Sequence, residues 1–192
     1  GVGNLAFTIV NHLDKDIHLV GFDNHSLMAS ISTMKANMMN TMLDMYHEDA
    51  LDFLPTEIDC VVSDLASYDY QNDLYHSPLY EKGVRYFPYL AIEHYLELKG
   101  DLRYIYLIDK DFFSQKGSEL FREVLREKGT ILSLIALPES FFLDNSCTKS
   151  ILILDNNPSI DHASTEVFIL PPLSEQGLFL NVMNKIQEHL KK

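Results

Sequence analysis

The chain has 192 residues, with 15 Lys and Arg against 28 Asp and Glu, a formal net charge of −13. That length suits a single domain spanning residues 1–192, able to bury about 70% of its unfolded surface without disulfides or metal. A composition of 46% hydrophobic and 22% charged residues excludes a disordered chain, and the acidic balance excludes a free-standing nucleic-acid binder, whose phosphate contacts need clustered Lys and Arg. No apolar run approaches the roughly 20 residues of a membrane-spanning helix, so no membrane partner is expected. No basic-then-apolar leader opens the chain, so a signal peptide is not expected. Cys60 and Cys147 form no metal motif, and the eight His residues lack the HxH or HExxH spacing of a ligand set, so no metal is expected. Cys60, inside the apolar run Ile58–Val62, reads as a small core residue, and a reduced, cytoplasmic setting is the default.

In chain order, Leu5, Ile9 and Leu13 recur at helical spacing over Asn4–Leu13, and Ile17–Phe22 reads as a short strand. Ser26–Asn40 reads as a helix capped by Ser26, with Leu27, Ile31, Met34 and Met38 on one face. Leu43–His47 and Asp59–Ser63 read as strands, the second buried. Phe87–Leu98 is an expected helix with Leu90, Ala91, His94, Tyr95 and Leu98 inward, stopped by Lys99-Gly100-Asp101. Arg103–Asp109 is a buried strand. Asp111–Lys128 is a helix with Phe113, Leu120, Phe121, Val124 and Leu125 toward the core, ended by Gly129. Thr130–Leu137 and Lys149–Asp155 are strands joined by the loop Pro138–Thr148, Glu166–Leu170 is another strand, and Glu175–Leu190 is the closing helix with Leu178, Val182, Ile186 and Leu190 in register. Strands alternating with helices predict an α/β sheet, mostly parallel, with helices on both faces. Two strands separated by eleven residues with no helical pattern predict an antiparallel hairpin near its end.

Gly1-Val2-Gly3-Asn4-Leu5-Ala6 stands directly before the first helix, and a GxG turn lets backbone approach a ligand closely. Asp23 follows twenty residues after Gly3, at the end of a strand, where an acid accepts hydrogen bonds from ribose hydroxyls. The pattern also fits a dinucleotide site. The next strand ends in His47-Glu48-Asp49-Ala50, where a carboxylate can accept from an adenine amino group, and the one after it runs into Ser63-Asp64-Leu65-Ala66-Ser67-Tyr68. Asp23, Asp49 and Asp64 thus share the expected carboxyl edge of the sheet, where open α/β folds bind ligands.

This series, followed by Leu137-Pro138-Glu139-Ser140-Phe141-Phe142 and Lys149-Ser150-Ile151-Leu152-Ile153-Leu154, resembles the N6-adenine DNA methylase family, the modification subunits of type I restriction systems. It is most similar to small stand-alone bacterial members that lack a target-recognition domain. The resemblance covers nearly the whole chain. It implies a class I S-adenosylmethionine-dependent methyltransferase fold, Rossmann-like, with S-adenosylmethionine as cofactor. By position, Gly1, Gly3 and Asn4 line the methionine end, Asp23 holds the ribose with Asn24 beside it, and Asp49 and Ala50 face the adenine. Asp64 matches the first position of the family's (Asn/Asp/Ser)-Pro-Pro-(Tyr/Phe) motif, whose polar group orients the target amino nitrogen while its aromatic stacks on the extruded base. The implied catalytic set is Asp64, Leu65, Ser67 and Tyr68.

The chain departs from the family where Leu65 and Ala66 replace the two prolines and Ser67 the aromatic; Tyr68 and Tyr70 are the nearest rings. The family's first strand and helical N-terminal domain precede its GxG, so a fragment of a longer protein is expected. The leading reading is methyl transfer to an amino nitrogen, with adenine in DNA as the family's substrate. The alternative is a catalytically impaired module that keeps the fold for cofactor binding or regulation. A nicotinamide-binding Rossmann domain is a third reading, against which the LPESFF hairpin argues. DNA is a partner by resemblance but binds weakly to this chain alone, because ten acids and no Lys or Arg lie between Lys35 and Lys82. A homo-oligomer stays open. Six of the seven Met residues fall between Met28 and Met45 and read as core packing by the second helix. Tyr68, Tyr70, Tyr75, Tyr80, Tyr86 and Tyr89 read either as a base-stacking lid or as a loop packed on its own rings.

Overall fold

The computed structural model describes residues 1–13, 16–144, 147–157 and 165–191. They form two compact units, Gly1–Glu57 and Ile58–Lys192. In the first, helix α1 (Asn4–His12) leads to strand β1 (His18–Phe22), and helix α2 (Ser26–Met39) crosses over to strand β2 (Met42–Tyr46). The two strands are parallel, from His18 opposite Met42 to Phe22 opposite Tyr46. Asn40, at φ 50, ends α2 in the left-handed region that asparagine tolerates, and Thr41 N–H closes the turn on the Ala36 carbonyl.

Helix α2 corrects the expected core face. Its buried residues are Ala29, Ser32 and Ala36, whereas Leu27, Ile31, Met34 and Met38 are exposed, Met38 by 86%. Both sets satisfy helical spacing. The small set lets the helix approach its neighbours closely, and the long apolar stripe points away. His25 rather than Ser26 occupies the N-cap position.

The second unit is a five-stranded sheet with helices on both faces. Its strands are β3 (Cys60–Asp64), β4 (Arg103–Asp109), β5 (Thr130–Ala136), β6 (Lys149–Asp155) and β7 (Glu166–Ile169), in the order β3-β4-β6-β5-β7. β6 alone runs antiparallel, between β4 and β5; β3 and β4 are parallel, as are β5 and β7. The expected hairpin is therefore present as β5–β6, and β7 extends the sheet one strand further. Residues 145–146 of its expected loop lie outside the described residues.

On one face Tyr104, Tyr106 and Ile108 of β4 and Leu152 and Leu154 of β6 are buried. Helices α4 (Phe87–Tyr95) and α5 (Ser118–Lys128) lie there, with Tyr89 and Phe121 stacked at 4.3 Å and Tyr104 donating to the Tyr95 carbonyl. On the other face Ile135, Ile153 and Phe168 pack with Ile186 of α6 (Gln176–Leu190). The helix expected over Asp111–Lys128 is broken. A 3-10 turn covers Phe112–Ser114, and Gly117, at φ 89 with Val84 only 2.7 Å from where a Cβ would sit, separates it from α5. The expectation for β3 also needs correction. Cys60 is exposed and burial alternates along the strand, because β3 pairs only with β4 among the described residues. A short helix α3 (Pro78–Glu81), capped by Ser77, was not expected. It is held by Glu93, a carboxylate buried to 2% exposure that accepts from the Leu79 N–H at 3.1 Å.

Candidate functional site

In the first unit the glycine turn and the strand-end acid meet. Gly3 precedes α1 at φ 72, ψ 13, and a Cβ there would lie 2.6 Å from a ring carbon of buried Phe7. Only glycine fits both demands. The Ser32 hydroxyl donates to the Gly1 carbonyl at 2.9 Å, tying the turn to α2, and the Lys35 ammonium donates to Asn4 Oδ1 at 2.6 Å. Asp23 Oδ2 accepts from the Gly1 amino group and its Oδ1 accepts from the His25 N–H at 2.8 Å.

Asn24 stands beside Asp23, and its carbonyl lies 3.1 Å from the His47 ring nitrogen at the end of β2. Asp49 turns back to accept from the Leu51 N–H at 2.9 Å, and both Asp49 and Ala50 are half-buried. Phe22, Tyr46 and Phe53 form a ring cluster with centroids 5.3–5.6 Å apart, which the sequence reading did not single out. An open cleft of about 460 Å³ between α2 and the end of β2 is lined by Ser26, Ala29, Ser30, Thr33, Met34, Met45 and His47. It includes none of the expected cofactor residues.

In the second unit Asp64 is the last residue of β3, next to β4. Leu65 continues the pairing by donating its N–H to the Leu107 carbonyl and is buried to 3%; it anchors the loop and presents no chemistry. The Ser67 hydroxyl donates to Asp109 Oδ2 and lies 2.9 Å from the Tyr86 hydroxyl. Lys149 Nζ reaches Asp64 Oδ1 at 2.7 Å and Asp109 Oδ1 at 3.2 Å. Burial lowers the affinity of Lys149 for its proton, and the two carboxylates more than restore it, so its pKa lies above the ordinary value. Burial pushes the Tyr86 phenol up, partly offset by Ser67.

Tyr68 stacks on Phe87 at 4.7 Å and stays 45% exposed. Tyr70 is buried, edge-on to Tyr75 and Tyr80, and Arg85 lies over the Tyr80 ring at 3.7 Å. Of the two readings of the tyrosine-rich segment, packing on its own rings is what the structure has, and Tyr68 is the exposed ring of the set. Among the described residues no helix is long and apolar enough to cross a membrane, and no three His, Cys, Asp or Glu side chains gather as a metal-ligand set.

No family model matches the chain. An uncharacterised protein of Bacillus subtilis, YtxK, is 27% identical over 208 residues, which cover all of this chain and 61% of that protein. The crystal structure of a candidate class I S-adenosylmethionine-dependent methyltransferase from Listeria monocytogenes matches with a TM-score of 0.85 at 24% identity, over 98% of this chain and 62% of its own. The fold is that of a class I methyltransferase. The modification subunit of a candidate type I restriction enzyme from Vibrio vulnificus shares it, with a TM-score of 0.74 at 13% identity over 98% of this chain and 47% of its own. The chain spans about three fifths of the length of the first two relatives.

Open parallel sheets, the class I methyltransferase fold included, bind ligands at the carboxyl ends of their strands. Asp23, Asp49 and Asp64 follow or end β1, β2 and β3, and Asp109 ends β4. Asp109 and Lys149 were missed from sequence, and Tyr86 was read only as one ring of the tyrosine-rich segment. The signal for Asp109 was its place at the end of a strand adjacent to β3. The signal for Lys149 was its place at the start of an antiparallel strand, which delivers an opening residue to that same edge.

Proposed function

We infer that the chain is part of an S-adenosylmethionine-dependent methyltransferase that acts on an amino nitrogen. The observation carrying this reading is the pairing of Asp23 with the glycine turn. Asp23 stands just after β1 with its Oδ1 fixed by the His25 N–H, in the same unit as a backbone turn that only glycine allows. The carboxylate just after β1, its Oδ1 held by the His25 N–H, suits the hydroxyls of the cofactor's ribose. Gly1, Gly3 and Asn4 lie toward its methionine end, Asn24 beside the ribose, and Asp49 and Ala50 toward the adenine.

The bound cofactor supplies an activated methyl group on sulfur. This chain's residues bind and orient. Asp64 accepts an N–H of the acceptor nitrogen. Tyr68 offers a stacking face for a planar acceptor. Positioning of this kind needs no base of unusual pKa. Ser67, bonded to Asp109 and Tyr86, holds the loop rather than the substrate, and Leu65 supports it from the core.

Adenine in DNA is the acceptor that the sequence resemblance implies, and a type I modification subunit is among the proteins that share the fold. The net charge of −13 then requires another segment or subunit to bring the duplex. A second reading, a cofactor-binding or regulatory module without transfer, is favoured by the engagement of Asp64 Oδ1 with Lys149. The test is transfer of labelled methyl from S-adenosylmethionine to duplex and single-stranded DNA by the full-length protein, alongside calorimetric titration of the cofactor. Binding with transfer supports the first reading, and binding without transfer to any amino acceptor supports the second. Absence of binding removes both.

A further inference from the structure

Two carboxylates stand side by side where β3 and β4 end, and their partners are unequal. Asp109 uses both oxygens, Oδ1 toward Lys149 and Oδ2 toward the Ser67 hydroxyl. Asp64 uses Oδ1 toward Lys149, and among the described residues Oδ2 has no partner; its side chain is 52% exposed. Like charges on neighbouring strand ends repel, and the segment between Lys35 and Lys82 holds no Lys or Arg to compensate them. The compensating charge comes through the one antiparallel strand. β6 begins where β4 ends, Lys149 is in register with Asp109, and its half-buried ammonium falls between the two acids.

We propose that Lys149 is a positioning residue, which fixes Asp64 by one oxygen so that the other faces the acceptor nitrogen, with Asp109 as the hub that ties this clamp to Ser67 and Tyr86. The inference rests on the reading of Asp64 as the acceptor-side group. It divides the two acids by role. Asp109 is fully engaged and holds the loop Leu65–Tyr68, and Asp64 keeps the open oxygen. The loop carries neither proline nor glycine, so its geometry depends on these side-chain bonds, together with Leu65 in the core and the bond from Phe87 N–H to the Tyr68 carbonyl. Lys149 also fits the clamp electrostatically. Its raised proton affinity keeps it charged throughout the neutral range.

The experiment compares full-length wild type, Lys149→Met, Lys149→Gln and Lys149→Arg. Backbone amide exchange over Leu65–Tyr68 is read by mass spectrometry, S-adenosylmethionine affinity by calorimetry, and methyl transfer as separate kcat and KM values. Removing the cation is expected to speed exchange in the loop at least tenfold, leave exchange in β4 and β6 and the cofactor Kd within twofold, and lower kcat at least thirtyfold with KM within threefold. Lys149→Arg is expected to restore slow exchange and most of kcat. Unchanged loop exchange in both Lys149→Met and Lys149→Gln overturns the proposal. So does exchange that rises equally through β4 and β6, which would make the lysine a general structural support. If the wild type transfers no methyl, the proposed function fails on its own, while the exchange result still decides whether the clamp exists.

Discussion

Replacing Gly3 by alanine tests the closest approach in the cofactor-side turn. Two terms add. The backbone sits at φ 72, ψ 13, where an L residue is strained by roughly 1–2 kcal/mol. The new Cβ would lie 2.6 and 2.9 Å from two ring carbons of Phe7 and 3.3 Å from the Ser32 hydroxyl. Phe7 is 2% exposed, so its ring moves only by disturbing the core of the first unit, and overpacking of that kind costs about 1–3 kcal/mol. The expected loss is therefore about 2–5 kcal/mol, measured by urea unfolding of the full-length protein with the slope compared to wild type. A matched control is Gly177→Ala, in the first turn of α6, where nothing lies within 4 Å. There the lower backbone entropy of alanine should leave stability unchanged or raise it by up to about 1 kcal/mol. A loss below about 0.5 kcal/mol for Gly3→Ala, within the range of ordinary surface changes, would refute the packing argument.

Glu93 gives a second test. Burial pushes its carboxyl up, with the hydrogen bonds from Ser77 and Leu79 N–H opposing, so its contribution is fully present below the unfolded value and falls as pH rises through the folded one. At neutral pH Glu93→Gln keeps an acceptor without the buried charge and should be neutral or stabilising, whereas Glu93→Ala leaves the Leu79 N–H unpaired and should cost about 1–3 kcal/mol; equal losses by chemical denaturation would contradict this. Lys149 has the opposite chemistry but the same sign. Its raised pKa means that its stabilisation is complete below its ordinary value of 10.5 and is lost as pH rises through the folded value. The stability difference between wild type and Lys149→Met should therefore stay constant to about pH 10 and then shrink, and a difference that instead disappears between about pH 6 and 8 would exclude the ammonium as its source. This chain alone should bind labelled duplex no better than a Kd of ~10⁻⁴ M at physiological salt, and micromolar affinity with a steep negative salt slope in fluorescence anisotropy would overturn the charge argument.

The sequence made the order of elements legible because most strands are short apolar runs set between helices with one clear stripe. The KSILILD run, separated from TILSLIA by a segment without helical period, placed the antiparallel pair correctly. Helix α2 was read inside out because Leu27–Met38 and Ala29–Ala36 both repeat at helical spacing, and hydrophobicity alone favours the longer side chains. Close packing chose the small ones. The break at Gly117 escaped because its cause, the Val84 side chain, lies far away in the sequence. The candidate site divides in the same manner. Gly3 and Asp23 stood in a local turn and after a strand end with recognisable spacing, and the structure has that turn before α1 and that acid after β1. Asp109 and Lys149 became partners of Asp64 only through strand order, because inserting β6 between β4 and β5 puts a lysine 85 residues away onto that carboxylate. Tyr68 and Tyr70 could not be told apart by spacing, and burial of Tyr70 separates them.

A crystal structure of the full-length protein with S-adenosylhomocysteine tests the central claim most directly, together with calorimetry on Asp23→Ala. The account predicts ribose hydroxyls on the Asp23 carboxylate at about 2.5–2.7 Å, the adenine against Asp49 and Ala50, and the glycine turn along the amino-acid tail. It also predicts a loss of about 1.5–3 kcal/mol in binding for Asp23→Ala, the scale of hydrogen bonds to a charged group. Ligand lying instead in the cleft lined by Ser26, Thr33 and Met45, or an affinity that Asp23→Ala leaves unchanged, would contradict it.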